Sequence, residues 1–160
     1  MALCIHWCIE SFFYAHCLSH FNYASTVWCQ ADAIHISKLQ KLHRRGIRLM
    51  LRDCNISTDE KYRQLRILPL DDQFKFNACI LMFKQAIGKA PSYIQNLFPN
   101  PRSQRTQNYR LPLPKMDIYK TSFSFWGASV WESLPLSCKL CNSLGTFKTA
   151  LRRHFQSSVN

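Results

Sequence analysis

The stretch KLQKLHRRGIRLMLR, residues 38–52, decides the fold class of this chain, because it holds six Lys and Arg side chains, no acid, and an aliphatic residue or glycine at almost every position between them. At about 100° per residue, Lys38, Lys41, Arg44, Arg45, Arg48 and Arg52 fall within an arc of roughly 120° on a helical wheel. Ile36, Leu39, Leu42, Ile47, Leu49 and Met50 are expected on the other side. A helix of this pattern buries one face and presents a continuous cationic strip. Such a strip attracts a phosphate backbone through charge and counterion release. A basic amphipathic helix also suits an anionic membrane surface or simple solvation, but here the apolar side is needed for a core, which disfavours the membrane. Gly46 in mid-helix costs up to ~1 kcal/mol relative to Ala, so either close packing at that point or relaxed constraint is expected.

Working outward, Asp32 or Ser37 is the expected cap of this helix, and DCNIST, residues 53–58, ends it. STDEKYRQLRIL, residues 57–68, predicts a short helix with Ser57 or Thr58 at the N-cap and Asp59 and Glu60 at the positive end of the helix dipole. After Pro69, Asp71 and Asp72 supply a start signal, and QFKFNACILMFKQAIG, residues 73–88, places Phe74, Ala78, Leu81 and Met82 on one stripe. Residues 2–18 are apolar and aromatic and read as a buried helix or part of one.

Residues 99–117 contain four prolines together with Arg102, Arg105, Arg110 and Lys115, so an extended basic linker is expected. Beyond it, TSFSFWGASVWESLP (121–135) and SLGTFKTALRRHF (143–155) predict two short C-terminal helices, the second with Leu144, Phe147, Leu151 and Phe155 on one face. The expected fold class is mainly α: a helical region over 1–98, the linker over 99–117, and an aromatic helical region over 118–160.

The 21 Lys and Arg against 9 Asp and Glu leave a net charge of +12, which favours a polyanionic partner, RNA or DNA. Any sequence-independent contact with the backbone would fall to Lys38, Lys41, Arg44, Arg45, Arg48 and Arg52, helped by Arg102, Arg105, Arg110 and Lys115. The eight cysteines, at 4, 8, 17, 29, 54, 79, 138 and 141, are scattered through apolar, helix-like stretches and read as buried free thiols of an intracellular protein, cytoplasmic or nuclear. The N-terminal apolar stretch has no basic n-region and contains Glu10 and two histidines, so neither a signal peptide nor a membrane span is expected.

Candidate chemistry is sparse. Cys138 and Cys141 have the spacing of half a zinc knuckle, but His154, Cys4, His6 and Cys8 offer no second close pair, so no metal is expected. Two-metal polymerase or nuclease chemistry needs clustered carboxylates, whereas Asp59-Glu60 and Asp71-Asp72 both sit at helix starts, where capping explains them. No phosphate-binding glycine loop or nucleophile elbow is present. His43, on the apolar side of its helix, reads as a core or interfacial residue. No active site and no cofactor are expected.

Six phrases in order, SHFNYASTVW (19–28), LQKLHRRGIRLM (39–50), LRILPLDDQ (65–73), RTQNYRLPLPK (105–115), SFSFWGASVWESLP (122–135) and LGTFKTALRRHF (144–155), resemble the C-terminal region of reverse transcriptases from non-LTR, LINE-type retrotransposons of the jockey and chicken-repeat-like groups. The sequence departs from that pattern at Glu132, Gly46 and His43-Arg44. The resemblance implies a thumb-like region whose basic helix lies along template and primer, with Trp28, Trp126 and Trp131 as structural anchors. It also implies that the catalytic palm and the endonuclease of such an enzyme lie outside these residues. On that basis the chain is expected to be a truncated or relic fragment of an RNA-directed DNA polymerase, not itself an enzyme, with self-association through the surface that met the palm. The alternatives are a piece of an active longer reverse transcriptase and a helical protein-interaction module.

Overall fold

The computed structural model describes residues 8–51, 55–98, 103, 105–111, 113–114 and 116–157. The chain is mainly helical, with no strand among the described residues. It divides into two compact units between Phe74 and Lys75.

In the first unit, helix α1 covers residues 8–22, and its middle, Phe13–Leu18, is π-helical. In an α-helix residues five apart point about 140° away from each other, but the i→i+5 turn of a π-helix brings them to one side. Phe13 and Leu18 are both buried as a result. A single turn, α2 (Ser25–Trp28), follows Ala24, whose φ of 47° is left-handed. The Trp28 indole secures this corner: its Nε1 donates to the Tyr23 carbonyl at 2.7 Å, and its ring stands edge-on to Phe74, centroids 5.0 Å apart.

Helix α3 (Ala33–Met50) buries His43, Ile47 and Met50, and Asp32 is its N-cap residue. Helix α4 (Thr58–Leu65) begins at Ser57, whose Oγ accepts the Glu60 N–H at 3.2 Å, and Asp59 and Glu60 occupy its first turn. Ser57 is therefore the cap that the sequence left open between two residues. Phe13, Leu18, Ile47, Met50, Tyr62, Leu65 and Ile67 form the core of this unit. Each fully buried aliphatic side chain of this kind contributes roughly 1.5–3 kcal/mol.

Helix α5 (Leu70–Ala86) has Asp71 and Asp72 in its first turn and crosses the boundary between the units. Of the predicted stripe, Phe74, Ala78 and Met82 are buried and Leu81 is half-buried, but Phe76, Cys79 and Phe83 are buried too, so the helix is covered on more than one side. Gly88, at φ 69°, follows it in the left-handed conformation that glycine adopts without a Cβ penalty.

The second unit continues with α6 (Ser92–Gln95), α7 (Asp117–Lys120), α8 (Phe123–Glu132), α9 (Leu136–Lys139) and α10 (Leu144–Ser157). A run of rings builds its core. Phe83 stacks on Phe147 at 4.2 Å, Phe147 lies 5.9 Å from the fully buried Trp131, and Trp131 meets Tyr109, which in turn meets Phe98.

Those contacts correct the expected organisation. The proline-rich stretch has no helix between Ser103 and Pro114 among its described residues, but it is not a free linker. Tyr109 is buried, the Trp131 Nε1 donates to the Gln107 carbonyl at 2.8 Å, and the buried Lys139 Nζ donates to Asn108 Oδ1 at 2.8 Å and to the Glu132 carbonyl at 3.0 Å. The division consequently falls inside α5 and not at residue 99. The last helix starts one residue later than the expected segment and runs two residues further, to Ser157. Of its predicted face, Phe147, Leu151 and Phe155 are buried and Leu144 is half-buried.

Candidate nucleic-acid interface

The strip on α3 takes its direction from the residues opposite it. Ile47 and His43 are fully buried and Met50 nearly so, which turns Lys38, Lys41, Arg44, Arg45 and Arg48 outward, and all five are exposed. Lys38, Lys41, Arg45 and Arg48 make no ion pair among the described residues, so their charge is available to a partner. Arg44 differs, because it approaches the Tyr62 hydroxyl. The flank of the helix is tied down by Gln40, whose Nε2 donates to both carboxylate oxygens of Asp71 at 2.9 and 2.7 Å. Arg52 lies outside the described residues.

Two apolar residues expected on the core side do not lie there. Leu42 is 58% exposed and Leu49 60% exposed. They lie about 20–40° from the axis of Lys38 on the wheel, next to the cations rather than opposite them. The buried place goes to His43, whose ring is surrounded by Phe13 at 5.9 Å, Phe21 at 5.4 Å and Tyr62 at 5.7 Å. Its Nδ1 shares a hydrogen bond of 3.0 Å with the Tyr62 hydroxyl, and its Nε2 is buried with no hydrogen-bond partner among the described residues. Burial pulls the His43 pKa down to about 4 and pushes that of Tyr62 up to about 12, so both stay neutral at pH 7. Neither ring therefore adds a charge beneath the strip.

The other expected contacts belong to the second unit. Arg105 sits in a turn closed by the Gln107 N–H donating to the Ser103 carbonyl at 2.8 Å, and Arg110 follows the buried Tyr109; both arginines are exposed. Arg102 and Lys115 lie outside the described residues. Residues 75–160 hold 12 Lys and Arg against only Asp117 and Glu132, a net +10, whereas residues 1–74 hold nine against seven acids, a net +2. Most of the positive charge thus lies away from the helix that advertises it. The signal was present in the sequence as the near absence of acids after residue 74, and it directs attention to Lys148, Arg152 and Arg153 of α10, which the wheel of α3 alone does not bring forward.

The thiols and acids are distributed without a centre. Cys29, Cys79 and Cys138 are buried, Cys17 and Cys141 partly so, and Cys8, against expectation, is exposed; all six are free, and Cys4 and Cys54 lie outside the described residues. Burial raises the Cys29 thiol to about 11 and the Cys79 thiol to about 12, far from thiolate chemistry at neutral pH. Cys138 is likewise raised by burial, and no three His, Cys, Asp or Glu side chains come together as a metal site among the described residues. His6 is outside them. No helix among the described residues is long and apolar enough to cross a membrane. No protein-family model, curated protein or solved structure matches the chain at a significant level.

Proposed function

We propose that this chain corresponds to the thumb and tail portion of a LINE-type reverse transcriptase, and that its activity is sequence-independent binding of RNA or DNA through the phosphate backbone. The reading of origin rests on the six ordered phrases. The observation that carries the binding is the outward row Lys38, Lys41, Arg45 and Arg48, unpaired among the described residues and opposite the buried His43, Ile47 and Met50. Phosphate contacts of this kind position a strand without reading its bases. The carboxylates at Asp59-Glu60 and Asp71-Asp72 stand in the first turns of α4 and α5, where the helix dipole accounts for them.

The test is the salt dependence of binding. Changing Lys41, Arg45 and Arg48 together to Gln should flatten the plot of log affinity against log salt by ~0.7 to 0.9 per lost phosphate contact, roughly 2 in all, for single strands and duplexes alike. Gln, Lys and Arg differ little in helix propensity, so circular dichroism should be unchanged. An unchanged slope with intact helicity makes the strip a solvated face and removes the binding role.

A further inference from the structure

We infer that the groove between α5 and α10 in the second unit is a binding site for phosphate esters, separate from the strip on α3. The groove has a volume of about 540 Å³ and is lined by Phe76, Ile80, Lys148, Arg152, Arg153 and Gln156, with Thr149 at its edge. Its floor is apolar, since Phe76 is buried and Ile80 half-buried. Its rim is made only of cations and neutral groups able to donate hydrogen bonds, and no carboxylate is among the lining residues.

The arrangement follows from the sequence of α10. Phe147, Leu151 and Phe155 turn into the core, which leaves Lys148, Arg152 and Gln156, each four residues after the last, as a row along the groove, with Arg153 beside it. Lys148, Arg152 and Arg153 are exposed and make no ion pair among the described residues. The Arg152 guanidinium lies over the Phe76 ring, 5.8 Å from its centroid, an interaction that holds the planar fork in place before a ligand arrives. A guanidinium so held loses less freedom when it grips the oxygens of a phosphate, which it matches with two parallel hydrogen bonds.

Charge complementarity selects the ligand. The two acids of residues 75–160 are engaged elsewhere: Asp117 accepts from Lys120 Nζ at 2.7 Å, and Glu132 accepts from Asn108 Nδ2 at 3.5 Å. A tetrahedral dianion or a phosphodiester strand fits three converging cations and an amide donor, whereas an apolar ligand would have to strip those cations of water. The shared chemistry is the phosphate ester, carried on a nucleic-acid backbone or on a free nucleotide.

The site is tested on the full chain with K148Q/R152Q/R153Q, against K84Q/K89Q/K120Q, which removes the same charge from α5, its C-terminal turn and α7. Binding of a dT12 strand should weaken roughly tenfold or more in the groove variant, with a drop in salt slope of at least ~0.7, and change little in the control. Competition by ATP assigns the site to free nucleotides, and its failure at millimolar concentration assigns it to the backbone. Equal losses in both variants, or polyglutamate binding as tightly as dT12, overturn the inference, since either result reduces the groove to diffuse positive charge. Because the α3 variant is measured separately, a failure there leaves this result standing, and the reverse holds as well.

Discussion

The ring of Phe13 lies directly against Gly46, so close that a Cβ built on that glycine would meet Phe13 Cε2 at 2.5 Å. Gly46 therefore marks a close approach of α1 to α3, which decides between the two meanings its mid-helix position allowed. Alanine would gain up to ~1 kcal/mol of helix propensity. The clash outweighs that gain, because Phe13 is itself buried and packed on His43, so relieving it means moving a core ring. Gly46→Ala should destabilise the protein by roughly 1–3 kcal/mol in urea titrations. Adding Phe13→Leu should recover part of the loss, and full stability of the single variant would show that the two helices do not meet at this point.

His43 makes stability depend on acid. Its pKa falls from 6.5 to about 4 in the folded protein because burial disfavours the imidazolium. Between those values the unfolded chain holds a proton at this position that the folded chain does not, so stability is full above pH 6.5 and declines as pH falls toward 4. The decline attributable to His43 should be roughly 3 kcal/mol at most. Denaturation midpoints measured from pH 7.5 to 4 should drop, and His43→Gln should flatten that curve over the same window. A curve equally steep in the variant would place the effect in other groups.

Trp131 should hold the proline-rich segment in place. Trp131→Phe removes the hydrogen bond to the Gln107 carbonyl and leaves a void beside Phe147 and Tyr109. A loss of about 2–4 kcal/mol is expected from the cavity and the lost Trp131–Gln107 hydrogen bond together. Hydrogen exchange at Gln107 and Ser103, whose N–H groups close the Ser103–Asn108 turn, should accelerate more than exchange in α4.

The first unit should associate with itself. Tyr23, Val27, Ile34, Leu42 and Leu49 are all more than half exposed, a larger apolar display than a stable monomer needs. Sedimentation at tens of micromolar should show species heavier than the monomer, and Leu42→Glu with Leu49→Glu should shift them toward it. A monodisperse parent that melts cooperatively would instead indicate an autonomous domain.

The longer helices were legible in the sequence, because each carries its own local signals. Ser57 with Glu60 starts α4, Gly88 and Pro91 follow α5, and Phe147, Leu151 and Phe155 recur at the helical period in α10. The outward direction of Lys38, Lys41, Arg45 and Arg48 was legible for the same reason, since a helix face is a matter of spacing. What depends on neighbours distant in the chain emerges only when the chain is folded. The angles of Leu42, Leu49 and His43 along α3 already set the two leucines beside the cations and the histidine opposite them, but that Phe13, Phe21 and Tyr62 are the rings enclosing His43 depends on how the chain folds back. Prolines and basic residues made 99–117 look like a linker, because local composition does not reveal that Trp131 and Lys139, more than twenty residues on, supply the hydrogen bonds that bind Gln107 and Asn108 into a core. The groove of Lys148, Arg152 and Arg153 was hidden for a related reason: three cations on one helix become a site only where another helix, here carrying Phe76 and Ile80, supplies the floor beneath them.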